Sequence, residues 1–427
     1  MSEQRKLRWM RLDNAAKIYP AARRQNWSNI FRLSATLTET VDTAVLQSAL
    51  DVTAARFPSI AARLRRGVFW YYLEQVDRLP AIRMENSYPL ARMSKKEMRR
   101  CAFRVIVYGK RIALEVFHAL TDGNGALIFL KTLLAEYLQQ KYGITVPAEQ
   151  GILERTEAPR ESEMEDSFLK YAGPVQISRQ GSNAFRLTGT PEKDGFLNLT
   201  CFRLPVAEVL EKARGLGVSV TSYLCAAMMM ALQEMQEQWV PNIKKRKAIK
   251  VLIPVNLRNL FPSRSLRNFM LYTTPELDPR MGKYSFEEAC KVVHHHMGLD
   301  VTAKRMSMLI ATNVGNERSL LVRVMPLFLK NLVMKAVFNA VGERKSCLSL
   351  SNLGAVKLPD VMSTYVERMD FILGAQATAP HNCGVLSYGD TLYINFIRSV
   401  QEPELEYRFY CVLRDLGLPV QVQSNRG

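Results

Sequence analysis

The chain is poor in the features that would give it an easy assignment. Seven cysteines are scattered from Cys101 to Cys411 with no Cys-x-x-Cys pair. That excludes the common dithiol and zinc-ribbon patterns and predicts buried free thiols in a reducing cytoplasm. No uncharged apolar run reaches the roughly 18 residues that a spanning helix needs. The first ten residues are charged and have no apolar stretch, so a secretory signal is not expected. No Gly-x-Ser-x-Gly elbow and no phosphate-binding Walker loop occur, which removes the usual signatures of serine hydrolases and P-loop enzymes. Histidine is scarce, at 5 in 427 residues. Three of the five, His294, His295 and His296, are contiguous and would fan around a helix. Only Cys290 lies at a spacing to share a face with His294, so no metal site is expected.

Acidic residues are also in short supply. The net charge is +18, and about +11 of it falls within residues 1–150. Basic clusters stand at Arg63, Arg65 and Arg66, at Arg99 and Arg100, and at Lys244, Lys245, Arg246 and Lys247. A basic surface attracts nucleic acid, anionic lipid, an acidic carrier protein or a phosphorylated cofactor. No nucleic-acid motif accompanies the charge and the aromatics do not interleave with it, so nucleic acid is not an expected partner. An ordinary solvated basic face is the simplest reading.

What is present has a two-part layout. A chain of 427 residues is too long for one ordinary core. Residues 29–37 alternate like a strand, and Asp42 can cap a helix running towards Arg56. Residues 60–66 and 69–74 form a hairpin pattern around Gly67, and Ser94 with Glu97 matches a capping box. Strands are expected at 103–107 and 112–117, followed by a helix at 126–138 with apolar residues at helical spacing. Residues 143–195 lack sustained periodicity and read as a crossover. Beyond them a strand at 196–204, a helix opened by Pro205, an apolar helix at 221–235 and a strand at 249–254 are expected. The Met228–Met230 cluster in that apolar helix reads as core filler. Helices follow at 286–311 and 320–341. Strands are expected at 347–351, 365–372, 384–388 and 392–397, and a last helix at 404–413. The division is 1–145, a linker at 146–195, and 196–427. The helix at 320–341 is apolar but interrupted by Arg323, Lys330 and Lys335. Such a helix fits a peripheral contact with lipid. It fits equally a helix packed on the second half with snorkelling lysines, which is the preferred reading.

Tyr108-Gly109 followed by the strand into His118 is echoed by Tyr388-Gly389 followed by the strand into Arg398. In both places strand, tight turn, strand and helix follow in order. This suggests two related halves, with the histidine in the first only.

The segment Phe117-His118-Ala119-Leu120-Thr121-Asp122-Gly123 carries the chemistry. A chance match to His-x-x-x-Asp-Gly in a chain of this composition is expected about 0.008 times, so the motif supports an argument. It sits between a strand and a helix, where function concentrates. Histidine suits general-base work near neutral pH. Asp122 can hold the loop by pairing with an arginine. Gly123 permits a backbone bend or a close approach.

These residues resemble the active-site motif of the chloramphenicol acetyltransferase and condensation-domain superfamily. Residues 253–258 (Ile-Pro-Val-Asn-Leu-Arg) with Asn268-Phe269, and residues 349–354 (Ser-Leu-Ser-Asn-Leu-Gly), resemble later segments of that superfamily. The latter, with the opening Arg11-Leu12-Asp13-Asn14-Ala15-Ala16, is similar to its bacterial alcohol acetyltransferase branch. Phe117 stands where peptide-forming condensation domains usually have a second histidine. No plant-type Asp-Phe-Gly-Trp-Gly motif occurs.

The resemblance implies an α/β fold of two similar subdomains, each a mixed sheet with flanking helices, with a tunnel between them. It implies a monomeric acyltransferase that moves an acyl group from acyl-CoA to an alcohol or amine. His118 would be the general base, with no covalent intermediate, no metal and no permanently bound cofactor. Ser351 or Asn352 is the candidate oxyanion donor, although a strand-ending turn explains Asn352 and Gly354 as well. Arg258 is the candidate partner of Asp122. Lys244, Lys245, Arg246 and Lys247 are candidates for the CoA phosphates or an acidic carrier protein. A carrier-protein-dependent enzyme of lipid or secondary metabolism, and a catalytically silent binding relative, are the competing readings.

Overall fold

The computed structural model describes residues 8–22, 29–177, 181–318, 324–337, 345–375 and 379–426. A small antiparallel sheet comes first, in the order β1-β4-β3. Its strands are β1 (Trp9–Arg11), β3 (Ala62–Arg66) and β4 (Tyr71–Gln75). The main sheet of the first half is built from β2 (Ile30–Leu37), β5 (Arg83–Met84), β6 (Phe103–Tyr108) and β7 (Arg111–Phe117). Gly109, at φ 54°, makes the turn between β6 and β7 that a Cβ would strain. Two helices pack together against this sheet. α2 (Thr43–Arg56) begins where the Asp42 side chain accepts from the Ala44 and Val45 amides. α4 (Gly123–Tyr142) begins at Asp122 and ends at Gly143, whose φ is 69°. α1 (Ile18–Ala22) and α3 (Lys95–Met98) are short, and α3 carries the Ser94–Glu97 capping box.

The second half holds an eight-stranded mixed sheet. Its order is β10 (Met270–Thr273), β9 (Ile249–Asn256), β12 (Leu348–Val356), β14 (His381–Tyr388), β15 (Thr391–Arg398), β8 (Asn198–Pro205) and β16 (Gln421–Ser424), with β11 (Glu276–Leu277) also on β9. The long helix α8 (Val220–Trp239) packs against α9 (Phe286–Asp300) and the C-terminal α13 (Glu404–Asp415). α7 (Val206–Gly215) lies between β8 and α8. Met228 and Met229 are fully buried in this core. The seven cysteines are free thiols, and six of them are buried.

The two halves repeat one plan. β2 leads into α2, and β6, β7 and α4 follow. β8 leads into α7, and later β14, β15 and α13 follow. In each sheet the hairpin's second strand lies centrally, antiparallel to both neighbours, in the orders 2-7-6 and 8-15-14. Gly389, at φ 56°, turns the second hairpin as Gly109 turns the first. Arg398 closes β15 where His118 follows β7. It is buried and pairs with Glu406 at 3.1 Å.

The chain does not separate at one cut. β13 (Val366–Ile372) lies late in the sequence but pairs antiparallel with β2, at the edge of the first-half sheet. Its Met369 and Phe371 belong to the first core. The segment expected as a linker contributes as well. α5 (Glu161–Met164) and α6 (Ser167–Tyr171) fall within it. Arg56 holds Glu163 through two hydrogen bonds of 2.5 and 2.7 Å, and Phe168 is fully buried.

Three expectations need correction. The helix expected over 286–311 is two helices, α9 and α10 (Ala303–Arg318). They break after Asp300, whose carboxylate accepts from Thr273 at 2.6 Å and pairs with Arg305 at 2.7 Å. β12 does not end at residue 351. It continues to Val356 through an irregularity between Asn352 and Ala355, where Gly354 has φ 77°. The helix expected at 320–341 is described only in part, as α11 (Leu327–Val337), and the rest lies outside the described residues. Its Lys330 does not snorkel: it is 1 % exposed. α12 (Asp360–Ser363) precedes β13. The basic surplus of the first third is not all surface either. Arg32 and Arg104 are buried on Glu115.

Candidate active site

β7 and α4 deliver the motif. His118 follows the last residue of β7, and its backbone amide donates to Asn29 O at 2.8 Å. Asp122 does not touch the imidazole in any hydrogen bond among the described residues. It caps α4 through Gly125 N at 3.1 Å. Its other oxygen accepts from Arg258 Nη1 at 2.8 Å and from Phe269 N at 2.9 Å. Asp122 therefore ties the motif to the connection between β9 and β10, which belongs to the second half. Arg258 donates further to Ser265 O at 2.9 Å and Arg267 O at 2.5 Å, so one guanidinium fixes this connection.

The glycine that needs its missing Cβ most is Gly125. A Cβ there would lie 2.2 Å from Leu266 O and 2.2 Å from Thr121 Oγ1. At Gly123 its close neighbour would be the movable Leu353 side-chain tip, at 2.9 Å, with Phe371 in ordinary contact at 3.7 Å.

The imidazole is held from three directions. Tyr19 stacks on it with ring centroids 4.5 Å apart, and Phe31 meets it edge-on at 5.0 Å. Nδ1 lies 3.0 Å from Asn268 Oδ1. The Asn268 amide is oriented by Asp13, whose Oδ2 is 3.2 Å from Asn268 Nδ2 and 3.3 Å from Asn268 N. A carboxylate accepts, so Nδ2 faces Asp13 and the amide oxygen faces His118. An amide oxygen cannot donate, so Nδ1 carries the proton and Nε2 keeps its lone pair. Burial pushes the His118 pKa below its ordinary value of 6.5, opposed by the charges of Asp122 and Asp13. Burial likewise raises Asp13, opposed by Arg267.

His118 is half-buried and lines a cavity of about 1420 Å³ between the halves. Asn124 and Leu127 of α4, Pro254 and Asn256 of β9, Ser349, Ser351 and Asn352 of β12, and Thr312 and Asn316 of α10 contribute walls. Besides Asp122, the charged side chains lining it among the described residues are Lys17 and Glu317, which pair with each other. Glu317 also accepts from Asn14 at 2.9 Å.

The remaining candidates divide. Ser351 and Asn352 share the cavity with His118. The Asn352 amide is engaged, donating to Thr221 at 3.1 Å and accepting from Gly354 N at 2.8 Å. Lys244, Lys245, Arg246 and Lys247 lie before β9, and none of them is on the cavity wall. Arg246 donates to Val240 O at 3.0 Å. No group of three or more potential metal ligands occurs among the described residues. Asp13 and Asn268 are site residues to which sequence reasoning gave no role, although both stand in quoted segments. Tyr19 and Phe31 carried no signal beyond being aromatic.

No protein-family model matches the sequence, and no curated protein matches it. Solved structures do match in fold. TRI101 of F. graminearum, complexed with coenzyme A and T-2 mycotoxin, is similar at TM-score 0.64 and 10 % identity, over 97 % of this chain and 99 % of that one. The trichothecene 15-O-acetyltransferase TRI3 of Fusarium sporotrichioides is similar at TM-score 0.61 and 11 % identity, over 97 % and 95 %. The first condensation domain of the CDA synthetase is similar at TM-score 0.58 and 14 % identity, over 95 % of each chain. The chain thus has the two-lobed α/β fold of these acetyltransferase and condensation-domain structures.

Proposed function

We propose that the protein is an acyltransferase that moves an acyl group from acyl-CoA to an alcohol or amine, with His118 as general base. The observation that carries this is the state of His118. Its Nδ1 proton is committed to Asn268, and the ring lines a large cavity between the halves. A trichothecene 15-O-acetyltransferase of this fold, and TRI101 of the same fold complexed with coenzyme A, support the choice of donor.

The acceptor enters with its O–H or N–H towards Nε2. As its lone pair attacks the thioester carbonyl carbon, the proton passes to Nε2. The carbonyl electrons move to oxygen and form a tetrahedral oxyanion. Ser351, which lines the cavity, is the donor we favour for it, since one N–H of the Asn352 amide is taken by Thr221. On collapse the C–S bond breaks, and the thiolate takes the proton back from the imidazolium. Asn268 and Asp13 are positioning residues that hold the tautomer and stabilise the transient cation. Asp122 and Arg258 hold the loop.

The test is a panel of acyl-CoA thioesters with pooled metabolites as acceptors. Free thiol is measured as it is released, and products are identified by mass spectrometry. Acylated product from the native chain and none from His118→Ala is the expected result. Product formation undiminished in His118→Ala overturns the mechanism.

A further inference from the structure

Helix α11 is inside out. Phe328 is 57 % exposed and Leu332 63 %, while Lys330 is 1 % exposed. The Lys330 ammonium lies 3.4 Å from the centre of the Trp70 ring and donates to Phe69 O at 2.9 Å. A helix packed on a water-exposed surface places its lysine outward and its large apolar side chains inward. Here the cation is spent on the interior, and an apolar stripe faces out. The stripe continues onto the β3–β4 hairpin. Leu327 N donates to Val68 O at 3.1 Å, and Val68 and Phe69 are 74 % and 46 % exposed. Leaving this much contiguous apolar surface in water is unfavourable and marks a docking face.

The charge around it selects the occupant. The register of β1, β4 and β3 places Trp9, Glu74 and Arg63 in one row and Arg11, Tyr72 and Arg65 in the next, on one face of the small sheet. Three arginines therefore stand against one glutamate, which pairs with Arg63 at 2.6 Å and Arg65 at 2.8 Å, and these rows keep a positive surplus. Arg66, beside the hairpin tip, is exposed. A second copy docking through the same face would bring like charges together, whereas an anionic bilayer attracts them. The cavity reaches this face, since Trp70 of the hairpin and Val333 and Met334 of α11 line it.

We propose that α11 and the β3–β4 hairpin dock on an anionic lipid surface, so that the His118 cavity opens towards the bilayer and takes an amphiphilic substrate from it. The docking stands by itself, and the substrate class rests on the acyltransferase reading.

The test is co-sedimentation of the full chain with phosphatidylglycerol–phosphatidylcholine vesicles and with phosphatidylcholine vesicles. Binding to the anionic vesicles that weakens at high salt is expected. Phe328→Glu with Leu332→Glu should lower partitioning at least tenfold, with an unchanged Tm and unchanged turnover of a water-soluble substrate pair. Arg66→Glu should weaken binding to anionic vesicles only. None of these three positions lines the cavity. A native chain that stays in the supernatant with both vesicle types overturns the proposal, and so does a double variant that binds as well as the native chain. A concentration-dependent dimer in sedimentation velocity that the double variant abolishes also overturns it, because a second copy then covers the face. His118→Ala should bind vesicles like the native chain, so failure of docking and failure of the acyltransferase reading are separately visible.

Discussion

At the scale of single residues, the site depends on one imidazole and the groups that fix it. His118→Ala should lower kcat by about 10²–10⁴-fold, the usual contribution of a general base, with an unchanged Tm. Steady-state kinetics beside a thermal melt check both. The base must be neutral to accept a proton, and burial lowers its pKa below 6.5. Activity should therefore hold as pH falls through 6.5 and decline only below it. Asp13 raises the His118 pKa through its charge. Asp13→Asn should thus move the acid limb of the pH–rate profile lower still, while reducing kcat because the Asn268 amide loses its orienting partner. An acid limb that stays in place in this variant would argue that Asp13 serves the fold alone. Asp122 acts differently. Its removal leaves the Arg258 charge without its buried carboxylate and the Phe269 amide without its acceptor, so Asp122→Ala should cost about 3–5 kcal/mol of stability, measured by denaturant unfolding.

At the scale of elements, the approach of α4 to the β9–β10 connection decides whether the site forms. Gly125 is where the two backbones meet. Gly125→Ala forces a displacement and should destabilise by about 1–3 kcal/mol, with a loss of activity. Gly123→Ala presses most closely on a movable leucine tip and should stay within roughly 1 kcal/mol. Comparison of the two by chemical denaturation and turnover checks this. The elements themselves were largely readable in the sequence. β2, β6 and β7 carry clean apolar patterns, and Asp42 and Ser94 cap their helices as their spacing suggests. The break between α9 and α10 was not readable. At the break Asp300 meets Thr273, a contact distant in sequence. Nor was the course of β12 past residue 351, because a bulge needs a partner strand to define it.

At the scale of the whole molecule, the halves share a plan but do not share the chain evenly. Separating the chain between residues 195 and 196 removes β13 from the first half. That leaves the edge of β2 unpaired and takes Met369 and Phe371 out of the first core. The fragment 1–195 should therefore fail to give a cooperative melt alone and recover one when mixed with 196–427. A sharp independent transition in the isolated fragment would contradict the role given to β13. Edge-strand exposure of this kind favours aggregation, so light scattering is a second readout.

The sequence by itself determined β2, α2, the β3–β4 hairpin, β6, β7 and α4 of the first half, the two-part layout and the histidine motif between β7 and α4. Periodicity and capping are local, and a six-residue motif needs no partner to be recognised. It also supplied the candidate pair Asp122 and Arg258 through a resemblance. Only the tertiary structure decided that Asn268 and Asp13 set the tautomer of His118, that β13 crosses into the first sheet, and that Lys330 turns inward while Phe328 faces out. Each of these joins residues far apart in the chain. Which of two apolar or polar faces is buried, and which donor meets which acceptor, is set by what packs against them.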